Sequence, residues 1–256
     1  MSSRRGEGAG LAGGLAPVLG LVAALLTAPA TAHAATAEPA DRPAVVEVRT
    51  IGHSVKGRPI RAWRLGEPGK RPFVLVSTMH GNERDTRRIL ESLRDGPAIQ
   101  GIDLWVVPTY NPDGLARGSR RNARGVDLNR NFPYRWKDLD GNYESGRRPA
   151  SEPETRAMMA FLKEIEPVRL IGFHQPLLGV DTDTKDAGFA RRLARGLRLP
   201  RTTLDCGGLC HGTMTMWFNR RFDGSALTVE YGTRPSRRRM SVRAPRQLLD
   251  VLRAHR

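Results

Sequence analysis

The sequence predicts a single α/β domain: a mixed, mostly parallel twisted sheet with helices on both faces. Short apolar runs alternate with helix-length segments along nearly the whole chain, the layout of strands joined by crossovers. Several runs, 73–78 most clearly, are almost continuously hydrophobic, as strands covered on both sides are. The 256 residues, 39% of them hydrophobic, suit one domain of ordinary size, and no repeat or low-complexity tract divides them.

The first segment falls outside that domain. Arg4 and Arg5 precede an apolar stretch over 15–30 that closes on Ala32-His33-Ala34, the layout of a secretory signal peptide spanning 1–34. Pro17, Gly20 and Pro29 interrupt the stretch, which argues against a retained membrane anchor, so the mature chain is expected to be secreted or cell-wall associated by a bacterial type of export and to have no stable membrane insertion. Gly6-Glu7-Gly8 after the paired arginines leaves general and twin-arginine export both open.

A flexible tail, 35–43, leads into the catalytic domain expected over 44–256, with no prodomain expected ahead of Val45. Val45-Val46-Glu47-Val48 alternates like a strand and runs through Gly57 to Pro59-Ile60-Arg61-Ala62-Trp63, an opening hairpin. The run 73–78 is the next strand and stops at His80-Gly81-Asn82-Glu83; a helix through Ile89, Leu90 and Leu93 follows. Residues 102–107 read as a strand, 108–131 as a long polar loop, and Ser151-Glu152-Pro153-Glu154 as a capping box opening a helix to Ile165. A strand over 168–173 ends at His174. A helix over 187–197, a short one over 214–220, a strand over 226–229 and a last helix over 242–254 complete the order.

The net charge of +16 falls only to +15 once Arg4, Arg5 and Glu7 leave with the signal, and only five of the 42 basic residues are lysines. Such a surface attracts anionic polymers or acidic peptides at long range and names no specific nucleic-acid partner. Arg191-Arg192 and Arg237-Arg238-Arg239 read as solvated faces. Cys206 and Cys210, four residues apart in an exported chain, predict a local disulfide; adding His211 for a metal cluster leaves that cluster a ligand short.

The chemistry-bearing residues share one position in the pattern: His80 and Glu83, His174, and Glu230 each fall at or just past the C-terminal end of an apolar strand, where sheets of this class gather their sites. Two imidazole nitrogens and one carboxylate form a catalytic zinc set, because they leave a coordination position open and keep enough charge on the metal to acidify water. A His-x-x-Glu pair alone is weak. What lifts it is Asn111-Pro112-Asp113-Gly114 followed by the polar run Arg120-Arg121-Asn122 and Gly125-Val126-Asp127-Leu128-Asn129-Arg130-Asn131-Phe132-Pro133.

Those blocks in that order, with His174 and Leu227-Thr228-Val229-Glu230, resemble the zinc metallocarboxypeptidases of the carboxypeptidase A type from about Ile51 to Tyr231. The resemblance implies one zinc ion held by His80, Glu83 and His174, with Glu230 as general base. It implies that Arg120 polarises the scissile carbonyl, with its neighbour Arg121 the competing assignment, and that Asn129 and Arg130 grip a terminal carboxylate unless Arg130 pairs inward with Asp127. A carboxylate grip points to an exopeptidase acting on a peptide or muropeptide.

Two departures bear on the substrate. Digestive members carry a mobile tyrosine upstream of the position of Trp217, where this chain has Cys206-Gly207-Gly208-Leu209-Cys210-His211; His211, Tyr231 or no residue takes that contact. The stretch between His174 and Glu230 is also short, and 213–217 lies where the pocket for the last side chain is lined. His174-Gln175-Pro176-Leu177 in an exported chain looks more like the bacterial murein peptide amidases, which cut the γ-D-glutamyl–diaminopimelate bond. A general L-peptide carboxypeptidase is the second reading. An inactive basic wall-binding or nucleic-acid-binding protein is the third, and it would have lost a ligand or the base, which this chain has not.

Overall fold

The computed structural model describes residues 43–204 and 206–256. The signal peptide over 1–34 and nearly all of the tail over 35–43 lie outside the described residues. Eight strands form one sheet in the order β1-β2-β4-β3-β5-β8-β6-β7. The hairpin β1 (Val45–His53) and β2 (Pro59–Gly66) is antiparallel, as is β2 against β4 (Asp103–Val107). The centre is parallel: β4, β3 (Pro72–Ser77), β5 (Arg169–His174) and β8 (Ser225–Tyr231). β6 (Leu178–Asp181) returns antiparallel to β8, and β7 (Arg201–Thr202) lies parallel to it at the far edge.

Alternate side chains of the central strands enter two separate cores, which is why those strands read as unbroken apolar runs. Leu75, Ile171, Phe173, Leu227 and Val229 point to a core shared with α1 (Arg87–Arg94), α4 (Ala187–Leu197) and α6 (Ala244–Leu252). Val74, Val76, Leu170 and Ala226 face α3 (Pro153–Ile165) and α5 (Met214–Arg221) on the other side. Helices therefore cover both faces, as the alternation predicted. None of the described helices is long and apolar enough to cross a membrane.

Two local expectations differ. The loop over 108–131 contains a further helix, α2 (Pro112–Arg117), capped by Asn111, whose side-chain oxygen accepts from Gly114 N at 2.9 Å and whose following Pro112 presets the first turn. The capping box at 151–154 does not form. Ser151 Oγ bonds Glu152 Oε1 and Asn131 Nδ2, while the Glu154 carboxylate accepts from Val55 N and Asn122 Nδ2, so tertiary partners outbid the helix end.

Candidate metal centre

The site is assembled where β3, β5 and β8 end together. After Ser77 the chain turns through Thr78 in the left-handed region (φ 54°), and His80 and Glu83 emerge on a tight bend. That bend lies directly on α2. A Cβ on Gly81 would fall 1.9 Å from the carbonyl carbon of Gly114, and Asn111 Nδ2 donates to Met79 O at 3.1 Å. The two separated motifs His80-Gly81-Asn82-Glu83 and Asn111-Pro112-Asp113-Gly114 are thus the two halves of one contact, which requires glycine at 81; at 114 a Cβ would instead meet the Asn111 side chain and Arg121 O. Asp113 ties α2 in turn to the hairpin through Lys56 N and an ion pair with Arg58.

His80, Glu83 and His174 converge, all three buried. His80 Nδ1 lies 2.6 Å from Glu83 Oε1 and 3.3 Å from His174 Nδ1, which itself lies 2.9 Å from Glu83 Oε2. Zinc bonds of about 2.0–2.1 Å in tetrahedral array put donor atoms roughly 3.3 Å apart, so the cluster has the right donors at nearly the right spacing. The second nitrogen of His80 is occupied as well, by Asp127 Oδ1 at 3.0 Å, which turns Nδ1 toward the cluster and fixes the ring. Among the described residues this is the one such group of potential ligands.

Electrostatics match. Burial alone would lower the pKa of His80, but the carboxylates of Glu83 and Asp127 outweigh it and hold the pKa up at about 9. Burial opposes ionisation of Glu83, and the two imidazoles overcome it, bringing its pKa down to about 2. Asp127, fully buried, stays ionised well below the carboxylate range despite burial, because His80, Arg120 and Arg130 surround it. The same two carboxylates that hold a proton on His80 in the metal-free fold would favour a metal cation in that proton's place.

Arg120 grips Asp127 Oδ2 with Nε and Nη2 at 3.0 and 2.8 Å and brings Nη1 to 3.3 Å from His80 Nδ1. Arg121 instead donates to Gly141 O at the surface, so geometry separates the two neighbours. Asn129 and Arg130 follow on a single 3₁₀ turn (Leu128–Arg130) capped by Asp127. Arg130 Nη1 is bonded to Asn129 O at 2.8 Å, and its buried Nε has no partner. Asp127 forms its ion pairs with Arg120 and His80 and none with Arg130. Arg130 is thus not spent on an internal ion pair.

Glu230 faces His174 directly across the β5–β8 ladder and accepts from Leu177 N at 3.1 Å. Its burial, with the nearby Glu83 charge adding to it and the two histidines opposing, pushes its pKa up to about 7. Leu177 follows a cis Gln175–Pro176 bond. Gln175 fastens the segment, accepting from Asp85 N and donating to Gly232 and Thr233 carbonyls.

Cys206 and Cys210 are disulfide-bonded, which removes the alternative metal cluster. His211 beside them donates to Arg135 O, and Tyr231 lies in the core against Phe173. Sequence reasoning overlooked the orienting role of Asp127, read Gln175 only as part of a resembling motif, and overlooked Tyr143, which packs its ring on both Arg120 and Arg130.

A buried His-Glu-His cluster with a carboxylate braced beside it at the strand ends of a parallel sheet is the architecture of a mononuclear metal-dependent hydrolase. Comparison with known proteins narrows that class. The family model for zinc carboxypeptidases matches residues 34–176. Murein peptide amidase A of Escherichia coli K12 is 32% identical over 168 residues, covering 59% of this chain and 68% of that protein. Its counterpart in Vibrio campbellii is 31% identical over 197 residues, covering 71% and 77%. The crystal structure of murein-tripeptide amidase MpaA from Escherichia coli O157 superposes with a TM-score of 0.69 at 27% identity, covering 86% of this chain and 97% of that one. The chain belongs to the zinc carboxypeptidase family and is a zinc-dependent peptidase.

Proposed function

We propose that the protein is an exported zinc amidopeptidase that hydrolyses an amide next to a free carboxylate in cell-wall peptides, at a γ-D-glutamyl–diaminopimelate type of bond. One observation carries the reading: a buried arginine with unspent hydrogen-bonding capacity, Arg130, stands on the same short turn as the residue that orients the metal ligand His80. A buried guanidinium without a carboxylate partner is costly unless a ligand supplies one. The murein peptide amidases among its relatives support murein peptides as the substrate class, and the bond type is the one implied by the resemblance of His174-Gln175-Pro176-Leu177 to that group.

His80, Glu83 and His174 would hold the zinc, which when bound supplies Lewis-acid charge and an acidified water. Glu230, poised near neutral pKa by its burial, takes the proton of the attacking water and hands it to the departing amine. Arg120 is held rigid by Asp127 and presents Nη1 toward the cluster, where a permanent charge stabilises the carbonyl oxygen as it becomes negative. Arg130, with the side-chain amide of Asn129, receives the terminal carboxylate and so places the scissile bond a fixed distance from the base.

Glu230→Gln is expected to keep one zinc per chain and lose turnover; a variant of normal activity removes Glu230 from the mechanism. Incubating the enzyme with a defined muropeptide and with an ordinary C-terminal L-dipeptide, read by mass, tests the bond: release from the dipeptide alone replaces this reading with a general carboxypeptidase. Export predicts a mature N-terminus at Ala35 in culture supernatant.

A further inference from the structure

The predicted carboxylate grip is covered. Arg130 is only 3% exposed, and the side chain packed on it is Tyr143, whose ring centre lies 4.9 Å from the Arg130 guanidinium and 5.4 Å from that of Arg120. A substrate carboxylate arriving from solvent cannot make a two-pronged bond to a guanidinium in that state. The ring itself is half-buried, and it also borders an open cavity of about 310 Å³ shared with Asp138, Leu139, Asp140 and Leu209.

The backbone carrying Tyr143 is fastened at both ends. Arg121 Nη1 holds Gly141 O at 2.7 Å, and Asp127 N holds Glu144 O at 2.7 Å. The side chain has room beside it while the turn does not, so the motion available is a rotation of the ring from the arginines into the cavity.

Resting on the function proposed above, we propose that Tyr143 is a substrate-positioning residue: its ring shields the Arg120–Arg130 pair in the free protein and swings into the neighbouring cavity when a carboxylate-ended substrate takes its place. The exchange is favourable in direction. A cation–π contact gives way to a charge-assisted, bidentate hydrogen bond, the stronger of the two interactions. In the free protein the ring keeps both guanidiniums oriented and out of competition for bulk anions.

The test is binding, read by calorimetry on zinc-depleted protein so that catalysis plays no part, with meso-diaminopimelate and hippurate against their amides. Tyr143→Ala should bind the carboxylates about three- to tenfold more tightly than wild type, because nothing has to be displaced, and Tyr143→Phe should match wild type, because the contact uses the ring and not the hydroxyl. In the zinc-loaded enzyme Tyr143→Ala should lower both KM and kcat, with Phe restoring both. Equal or weaker carboxylate binding by the Ala variant, with the Phe variant showing that the fold tolerates the site, overturns the shield and leaves the grip standing. Absence of carboxylate binding in wild type and Ala variant alike overturns both the shield and the proposed function.

Discussion

At the scale of single residues, the site depends on charges that are buried but never alone. Asp127 links His80 to Arg120, and nothing else in the described cluster fixes the His80 ring from behind. Asp127→Asn keeps the shape and removes the charge, so zinc affinity should fall about 10- to 100-fold in chelator competition. Glu230 carries the opposite lesson. Its pKa in the metal-free fold, about 7 against an ordinary 4.5, means that between those values the unfolded chain has released a proton that the folded one retains. Stability of the metal-free protein therefore falls as pH rises through that window, by on the order of 3 kcal/mol at most. Glu230→Gln escapes the penalty: in the presence of chelator its denaturation midpoint should match wild type near pH 4.5 and exceed it above pH 7, even as the proposed mechanism has the variant lose turnover. A constant gap across pH would show that Glu230 ionises freely. The convergence of His80, Glu83 and His174, with the Glu230 carboxylate beside them, was legible in the sequence because each sits at a strand end. Thr78 was not: a β-branched residue at φ 54° is disfavoured locally, by about 1–2 kcal/mol, and only the tertiary contacts around it, such as Asn111 N on its carbonyl, hold it there.

At the scale of elements, motifs far apart in sequence turned out to be surfaces in contact. The Gly81–Gly114 approach is the tightest such contact around the site, and no flexible side chain can yield there, since the obstructing atoms are backbone. Gly81→Ala should therefore cost about 3 kcal/mol by overpacking and weaken zinc binding with it, since α2 and the His80 bend must separate; thermal unfolding with and without zinc reads both. The longer helices and the central strands were legible because periodicity over six or more residues is hard to mistake. The helix α2 was hidden by its six-residue length and by polar residues that read as loop. β6 and β7, four and two residues long, carry too little pattern to be seen, and their place is set by the pairing of β6 with β8 and of β7 with β6 rather than by their own sequence. The failed capping box has the same origin: Ser151, Glu152 and Glu154 match a helix start, but the side-chain amides of Asn122 and Asn131 claim their oxygens. Disulfide pairing was legible because the chain's two cysteines stand four residues apart.

Across the whole molecule, the sheet sets an unequal pair of margins. At one side β7 is two residues long and sits beside α4, where Arg191 and Arg195 of the helix together with Arg201 of β7 itself would repel another copy of the same chain. At the other, β1 runs for nine residues with Val46 and Val48 about half exposed, and among the described residues no strand pairs with its outer edge. Its ladder to β2 is broken twice, near Val45–Glu47 and Thr50–Gly52, and Glu47 and Arg49 pair with each other, which twists and charges that border. The stretch left flat between those irregularities is where a second molecule could add a strand. For anyone concentrating the enzyme, this border decides shelf life: light scattering should grow with protein concentration in wild type and be suppressed by Val46→Lys with Val48→Thr, at no cost to a zinc centre on the strand ends of β3, β5 and β8.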